Sequence, residues 1–262
     1  MGPVREDAGA DSSLALYWSI QAEGRRELAR PLTSLWWSGV AAGTCMAASV
    51  VGPAFINLHL PDVAWAPLVS DLGYVLGFVI VVLGRLQLFT ENTITTVLPF
   101  LTAPSWRMLG RIATLWSVVF AANLVGAMFA AAFLRFGHPV DATQWAAILS
   151  VAHHATDLAP LEVFARGIPA GFFIATVVWT AAGAPEARLS IVVMLTYLIA
   201  LGDFTHVVAG SVEVFVRVFE EGFPALSLIG TFIVPAFAGN VVGGSLLFAL
   251  LTYGQVCEEL PS

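Results

Sequence analysis

The sequence predicts an all-α membrane protein of six transmembrane helices, built as an inverted 3+3 repeat whose second and fifth helices are broken. Three observations carry that class. The 262 residues are 58% hydrophobic and only 11% charged, with a mean hydropathy of +0.84, a composition of lipid-embedded chains rather than soluble domains. Apolar runs at 32–57, 66–100, 108–136, 159–183, 188–217 and 225–256 are each long enough to cross a hydrocarbon core of about 30 Å as helices. Two of these runs carry polar clusters in mid-course, "GRLQLFTENT" around Thr90 and "ALGDFTHVVAG" around His206.

Before the first run, residues 1–30 hold Arg5, Glu6, Asp7, Asp11, Glu23, Arg25, Arg26, Glu27 and Arg30. No clean apolar core interrupts these charges, so the segment does not read as a cleavable signal peptide. Its residues 12–30 mix Leu14, Tyr17 and Trp18 with charges, which fits an amphipathic helix at the cytoplasmic surface or a solvated helix packed on its own protein. Residues 31–257 then form one transmembrane channel domain, with halves of about 31–136 and 158–257, and 258–262 a cytoplasmic tail. Arg25, Arg26 and Arg30 precede the first run, Arg107 and Arg111 flank the second loop and Arg188 follows the fourth run, whereas 58–65 and 137–158 contain no Arg. The positive-inside rule therefore places both termini in the cytoplasm.

The second run is too long for one unbroken crossing, and polar backbone at membrane depth is tolerated only where it is buried in protein or lines a cavity. The two halves also match in order. "GVAAG" (39–43) pairs with "GIPAG" (167–171), "FTENTITTVLPF" (89–100) with "FTHVVAGSVEVF" (204–215), and "NLVG" (123–126) with "NVVG" (240–243). A unit of three spans is odd, so its second copy enters the bilayer from the opposite face, as in the inverted repeats of transport folds. The polar breaks are then expected to meet near the midplane, where a solute path runs.

"LFTENTITTVLP", "DFTHVVAG", "RGIPAGFF" and "GNVVGG" together resemble the formate/nitrite transporter family over about 30–256. The resemblance implies an aquaporin-like protomer, a homopentamer in the bacterial inner membrane with one pore per subunit, and permeation by small monovalent anions of weak acids such as formate and nitrite. It also matches Thr90 to the threonine of the first break, His206 to the central pore histidine and Asn240 to the sixth-span asparagine. Three positions depart from the family pattern. Thr205 stands where glutamate is usual, Gly171 where asparagine is usual, and the pore lysine has no counterpart near His153, His154 and Ala155; all 11 basic residues are Arg.

His206, Thr90, Thr205 and Asn240 are accordingly the expected pore and proton-relay group. A neutral imidazole is the side chain suited to exchanging a proton near neutral pH, and an ionisable group inside a span marks function; hydrogen bonding of His206 to backbone carbonyls of the break is the structural alternative. A weak-acid anion that gains a proton there crosses an apolar constriction without much of the cost of a bare ion. Tyr74 and Phe78 share a helix face and with Leu88, Phe89 and Ile199 are the expected constriction. Asn123 and Asn240 occupy equivalent places and are read as holding the breaks, and Arg85 and Glu91 as paired with each other or with loop backbone, or else as a selectivity element. In the third outer loop and the helix start after it, Arg166 or His154 supplies the positive mouth that a lysine would give, or, with Glu162 at i, i+4 to Arg166, belongs to a solvated helix start.

The composition excludes other classes. The net charge of −7 comes mainly from tails and loops, and no basic run suggests nucleic acid. Cys45 and Cys257 form no metal or disulfide pattern, and His153, His154 and Asp157 have no recognisable fourth ligand; neither a metal nor a cofactor is expected. An enzyme using His206 with Asp203 or Glu213 lacks a nucleophile or metal motif beside the base. The expected partners are other copies of the chain, membrane lipids and the small solute. The competing reading keeps the fold and changes the cargo to a small neutral solute or a different weak acid, because loss of a fixed positive charge lowers a pore's preference for anions.

Overall fold

The structure, a computed structural model, describes residues 12–260. The acidic and basic residues expected in 1–11, and 261–262 at the end of the tail, lie outside the described residues. All regular structure described is helical.

Helix α1 (Ser13–Glu27) starts where the Ser12 side chain accepts from Ala15 N–H at 3.1 Å. Its Tyr17 and Gln21 side chains reach the Thr102 hydroxyl at 2.7 and 2.9 Å, so the helix packs on its own protein. Helices α2 (Leu32–Cys45) and α3 (Ala48–Asn57) make one apolar stretch. Next come α4 (Ala66–Ser70), a 3₁₀ turn over 71–74 and α5 (Val75–Leu83). Beyond an extended segment, α6 (Phe89–Thr95) and α7 (Val97–Thr102) continue the chain. Helix α8 (Trp106–Phe136) is capped by Ser105 and runs 31 residues.

Residues 137–158, expected as a loop, instead contain α9 (Ala142–Thr156). Its start is a capping box in which Asp141 and Gln144 satisfy each other's backbone N–H, a local device that stabilises a helix without a bilayer. Helix α10 (Pro160–Gly183) opens on a proline, where the missing N–H costs nothing. Helices α11 (Arg188–Leu201) and α12 (Val207–Glu221) flank a second extended segment. The last stretch includes α13 (Val234–Val241) and α14 (Ala249–Val256), with π-helical turns over 229–233 and 242–248. Five stretches are long and apolar enough to cross a membrane: Leu32–Asn57, Ala66–Leu83, Trp106–Phe136, Pro160–Gly183 and Phe223–Val256. With 14 and 15 residues, α11 and α12 each fall short of one.

The two interruptions are built alike. At the end of α5, Arg85 adopts φ 51°, Leu86 N–H bonds Val81 O at 3.0 Å and Arg85 N–H bonds Val82 O at 3.3 Å. At the end of α11, Asp203 adopts φ 49°, Phe204 N–H bonds Ile199 O at 3.0 Å and Asp203 N–H bonds Ala200 O at 2.9 Å. Both are Schellman ends with a left-handed residue just past the cap, here without the usual glycine at that position. Arg85 is thus equivalent to Asp203, and Phe89 to Val207. The pairing of Phe89-Thr90 with Phe204-Thr205 expected from the sequence is therefore three residues out of register.

Candidate functional site

Each extended segment is held by one asparagine. Asn123 on α8 accepts from Phe89 N–H at 2.9 Å and donates to Gly39 O and Gln87 O, both at 2.8 Å. Asn240 on α13 accepts from Val207 N–H at 2.9 Å and donates to Gly167 O at 2.8 Å and Thr205 O at 2.9 Å. A carboxamide is the group that accepts one bond and donates two from a single end, and an interrupted helix presents such backbone groups to be satisfied. The close approach this requires explains the matching glycines: a Cβ at Gly43 would lie 2.0 Å from Asn123 O, and one at Gly171 2.2 Å from Asn240 O.

The second segment ends on His206, the N-cap of α12. Its Nδ1 accepts from Ala209 N–H at 3.3 Å, so the ring proton belongs on Nε2. That Nε2–H points at the Thr90 hydroxyl 2.8 Å away on α6. Thr90 is fully buried and His206 2% exposed, and the Phe78 ring stands edge-on to the imidazole at 4.9 Å. One hydrogen bond thus joins the two interruptions across the middle of the protein.

A cavity lies on either side of this bond. The first, about 520 Å³, is lined from α4, α9, α10 and the second interruption and has His206 in its wall with Asp71, Tyr74, Ile199, Thr205 and Glu213. The second, about 480 Å³, is lined by Leu88, Gln87, Glu91 and Asn92 and by Arg26, Arg85 and Arg188. Between them Phe78, Thr90 and His206 leave almost no accessible surface, so the conduit is closed in this conformation.

The expected site residues are distributed unevenly over this frame. His206, Thr90, Tyr74, Phe78, Ile199 and Leu88 surround the seal or its two cavities. Phe89 instead packs with Trp116, Phe120 and Phe237, ring centroids 4.8–5.6 Å apart. Thr205 borders the first cavity, but its hydroxyl donates to Val163 O at 2.6 Å. Asn240 is fully buried and all three of its polar contacts go to backbone, as the reading that it holds the break expects. Arg85 and Glu91 do not pair. The left-handed turn directs Arg85 to the second cavity, and Glu91 Oε1 is buried without a partner among the described residues.

Arg166 and His154, expected at the mouth, both line the first cavity and both are paired. Arg166 Nη2 binds Glu162 at 2.7 Å, its Nη1 lies 3.8 Å from Asp203, and His154 Nε2 meets Asp203 at 3.0 Å. With Asp71 on the same wall, carboxylates outnumber the one arginine. Outside this cavity, burial works to raise the Asp157 carboxyl, but hydrogen bonds from His153 and Arg217 outweigh it and hold the group below the usual carboxylate range. Sequence reasoning passed over Asp71 altogether and met Glu213 only as an enzyme candidate. Spacing alone offered a signal for the latter, since Glu213 is seven residues, about two helical turns, after His206.

Comparison with known proteins places this geometry. Residues 15–254 match the model of the formate/nitrite transporter family. The inner membrane protein YfdC of Escherichia coli K12 is 35% identical over 98% of this chain and 83% of its own length. The formate channel FocA of Haemophilus influenzae is 27% identical over 83% of the chain and 84% of its own length. Among solved structures, an FNT family ion channel superposes with a TM-score of 0.80 at 20% identity, covering 95% of this chain and all of the other. A pentameric formate channel with formate bound superposes with a TM-score of 0.70 at 17% identity over 86% of this chain and 98% of the other. Two cavities meeting at a His–Thr bond between asparagine-clamped interruptions thus belong to a multi-pass membrane protein of the formate/nitrite transporter family.

Proposed function

We propose that the chain is a pore for small monovalent weak-acid anions such as formate or nitrite, and that the solute passes the His206–Thr90 pair as the neutral acid. The observation that carries this reading is that pair: a neutral imidazole whose Nε2–H faces a threonine hydroxyl at 2.8 Å, sealed between two cavities by Phe78. A bare anion in so dry a place pays a large desolvation cost, which a proton removes. Support for a formate-like cargo comes from family membership and from relatives described as formate channels. In this reading the five apolar stretches and the α11–α12 pair make six crossings in an inverted repeat, aquaporin-like in outline. Both termini face the cytoplasm and the first cavity faces outward. Five chains assemble as in the pentameric channel it resembles, with exposed apolar side chains such as Phe129, Phe133, Met194 and Leu251 meeting neighbours or lipid.

A neutral solute of similar size is favoured by one observation. Arg166, the arginine lining the first cavity, is already held by Glu162 and Asp203. Proteoliposome uptake of formate and nitrite, against swelling in glycerol and urea, separates the two cargoes. In the same assay His206→Asn is expected to flatten the pH dependence of weak-acid flux. Full-rate conduction with unchanged pH dependence in that variant refutes the role of the imidazole.

A further inference from the structure

Glu213 has no part in the seal described above. It follows His206 by seven residues, so the two share one face of α12, about 10 Å apart along the axis at 1.5 Å per residue. Both line the first cavity, as does Gly210 between them. Glu213 is only 5% exposed, and no group among the described residues donates a hydrogen bond to its carboxyl. The cations that would serve it are engaged elsewhere. Arg217, one turn further along the helix, binds Glu221 at 2.7 Å and Asp157, while Arg166 is held by Glu162 and Asp203.

The other titratable groups facing this cavity are Asp71 and Tyr74 from the turn before α5, His154 from α9, Arg166 from α10, and Asp203 and His206 from the second interruption. Helices α3 and α8 bring none to its wall among the described residues. A charged Glu213 would therefore add a third carboxylate to a wall with one committed arginine, and a buried charge without a counter-ion is costly in a way that carrying a proton relieves.

We propose that Glu213 is the proton donor of this vestibule and its specificity-determining residue, selecting small weak-acid anions by protonating them. The inference rests on the weak-acid reading above. An arriving anion accepts a hydrogen bond from the neutral carboxyl, the O–H bond breaks at Glu213 and forms at the anion's oxygen, and a carboxylate and the neutral acid result. The acid moves on to the His206–Thr90 seal, and a proton drawn from the solution on the vestibule side, carried in as hydronium, restores the neutral carboxyl and leaves water. This arrangement supplies by proton what a fixed lysine or free arginine would supply by charge.

The test is formate uptake into proteoliposomes with a pH-sensitive dye, comparing the wild type, Glu213→Gln and Glu213→Asp. The wild type is expected to take up one proton with each formate and to run faster as the pH on the vestibule side falls. Gln keeps the shape and loses the proton, so flux should fall at least about tenfold, a modest share of what a positioned proton donor supplies, and its pH dependence should flatten. Asp should retain the pH dependence at a reduced rate. Uptake without a proton in the wild type overturns the proposal, even where the Gln variant does not fold. So does wild-type flux and pH dependence in Glu213→Gln, or faster flux in it, which would mark Glu213 as a repelling charge. A wild-type protein that carries no weak acid at any pH overturns the cargo reading as well.

Discussion

Replacing Asn240 by alanine removes three buried hydrogen bonds at once, and the cost can be worked from what each partner keeps. Gly167 O lies inside α10, where helical bonding persists. Val207 N–H, the first amide of α12, and Thr205 O, in the extended segment, have the asparagine as their partner. A buried backbone group left unsatisfied costs about 1–3 kcal/mol, which gives about 2–6 kcal/mol for two. Interhelical hydrogen bonds in membrane proteins average only about 0.6 kcal/mol, so three bonds at that rate set a floor of about 2 kcal/mol. Asn240→Ala is therefore expected to lower the unfolding free energy by about 2–6 kcal/mol in a detergent titration. Transport should fall with it, because Thr205 and Val207 flank His206. Asn123→Ala, with the same three kinds of partner, should cost a similar amount. If either variant unfolds at the wild-type midpoint and conducts normally, the asparagines do not hold the interruptions and the argument fails.

Two further outcomes follow from contacts at the edges of this frame. Gly171→Ala places a Cβ 2.2 Å from Asn240 O; backbone cannot step aside as a side chain can, so α10 and α13 must separate, at about 1–3 kcal/mol or more, read as a lower unfolding midpoint in a detergent titration. Asp157, with its carboxyl held low by His153 and Arg217 after burial is overcome, contributes stability that is present above the ordinary carboxylate value of about 3.9 and is lost as pH falls through its lower folded value. The unfolding midpoints of the wild type and Asp157→Asn should thus differ at pH 7 and converge as the pH falls below the usual carboxylate range; a constant difference would refute that contribution.

Much of this frame was legible because it depends on residue types with few substitutes. Asn123 and Asn240 stood out as equivalent, and the paired glycines of 39–43 and 167–171 proved to be the surfaces those asparagines approach. The polar clusters fell where α5 and α11 stop. The register between halves was not legible, because the shared Phe-Thr pair is a coincidence of composition. Equivalence is set instead by the left-handed residues Arg85 and Asp203, and Leu83-Gly84 matching Leu201-Gly202 was the available sign. Helix α9 was hidden by a loop-like composition with Gly137, Pro139 and Asp141 ahead of it, although its Asp141–Gln144 capping box was in plain sight. Charge compensation at the mouth was illegible for a different reason. Arg166 and Asp203 are 37 residues apart, and only folding decides whether an arginine is free.

The corrected register also sharpens how the two halves divide their work. Leu88 and His206 are equivalent, each the residue just ahead of its helix, yet one is an aliphatic wall of the second cavity and the other an imidazole in the wall of the first. Thr90 and Val208 are equivalent in turn, and only Thr90 carries the hydroxyl that His206 reaches. The scaffold of asparagines, glycines and Schellman ends is kept in both copies because backbone satisfaction demands the same solution twice. The side chains that face a solute are free to differ, and here they place an apolar group on one side of the seal and a hydrogen-bonding pair across it. A repeat that conserves its frame while splitting its chemistry gives unlike cavities: Arg26, Arg30, Arg85 and Arg188 stand with Glu23, Glu27 and Glu91 around the second, whereas Asp71, Asp203 and Glu213 stand with Arg166 alone around the first. Under the proposed weak-acid mechanism, the excess of carboxyls over arginine in the first cavity puts proton exchange on the Glu213 side of His206.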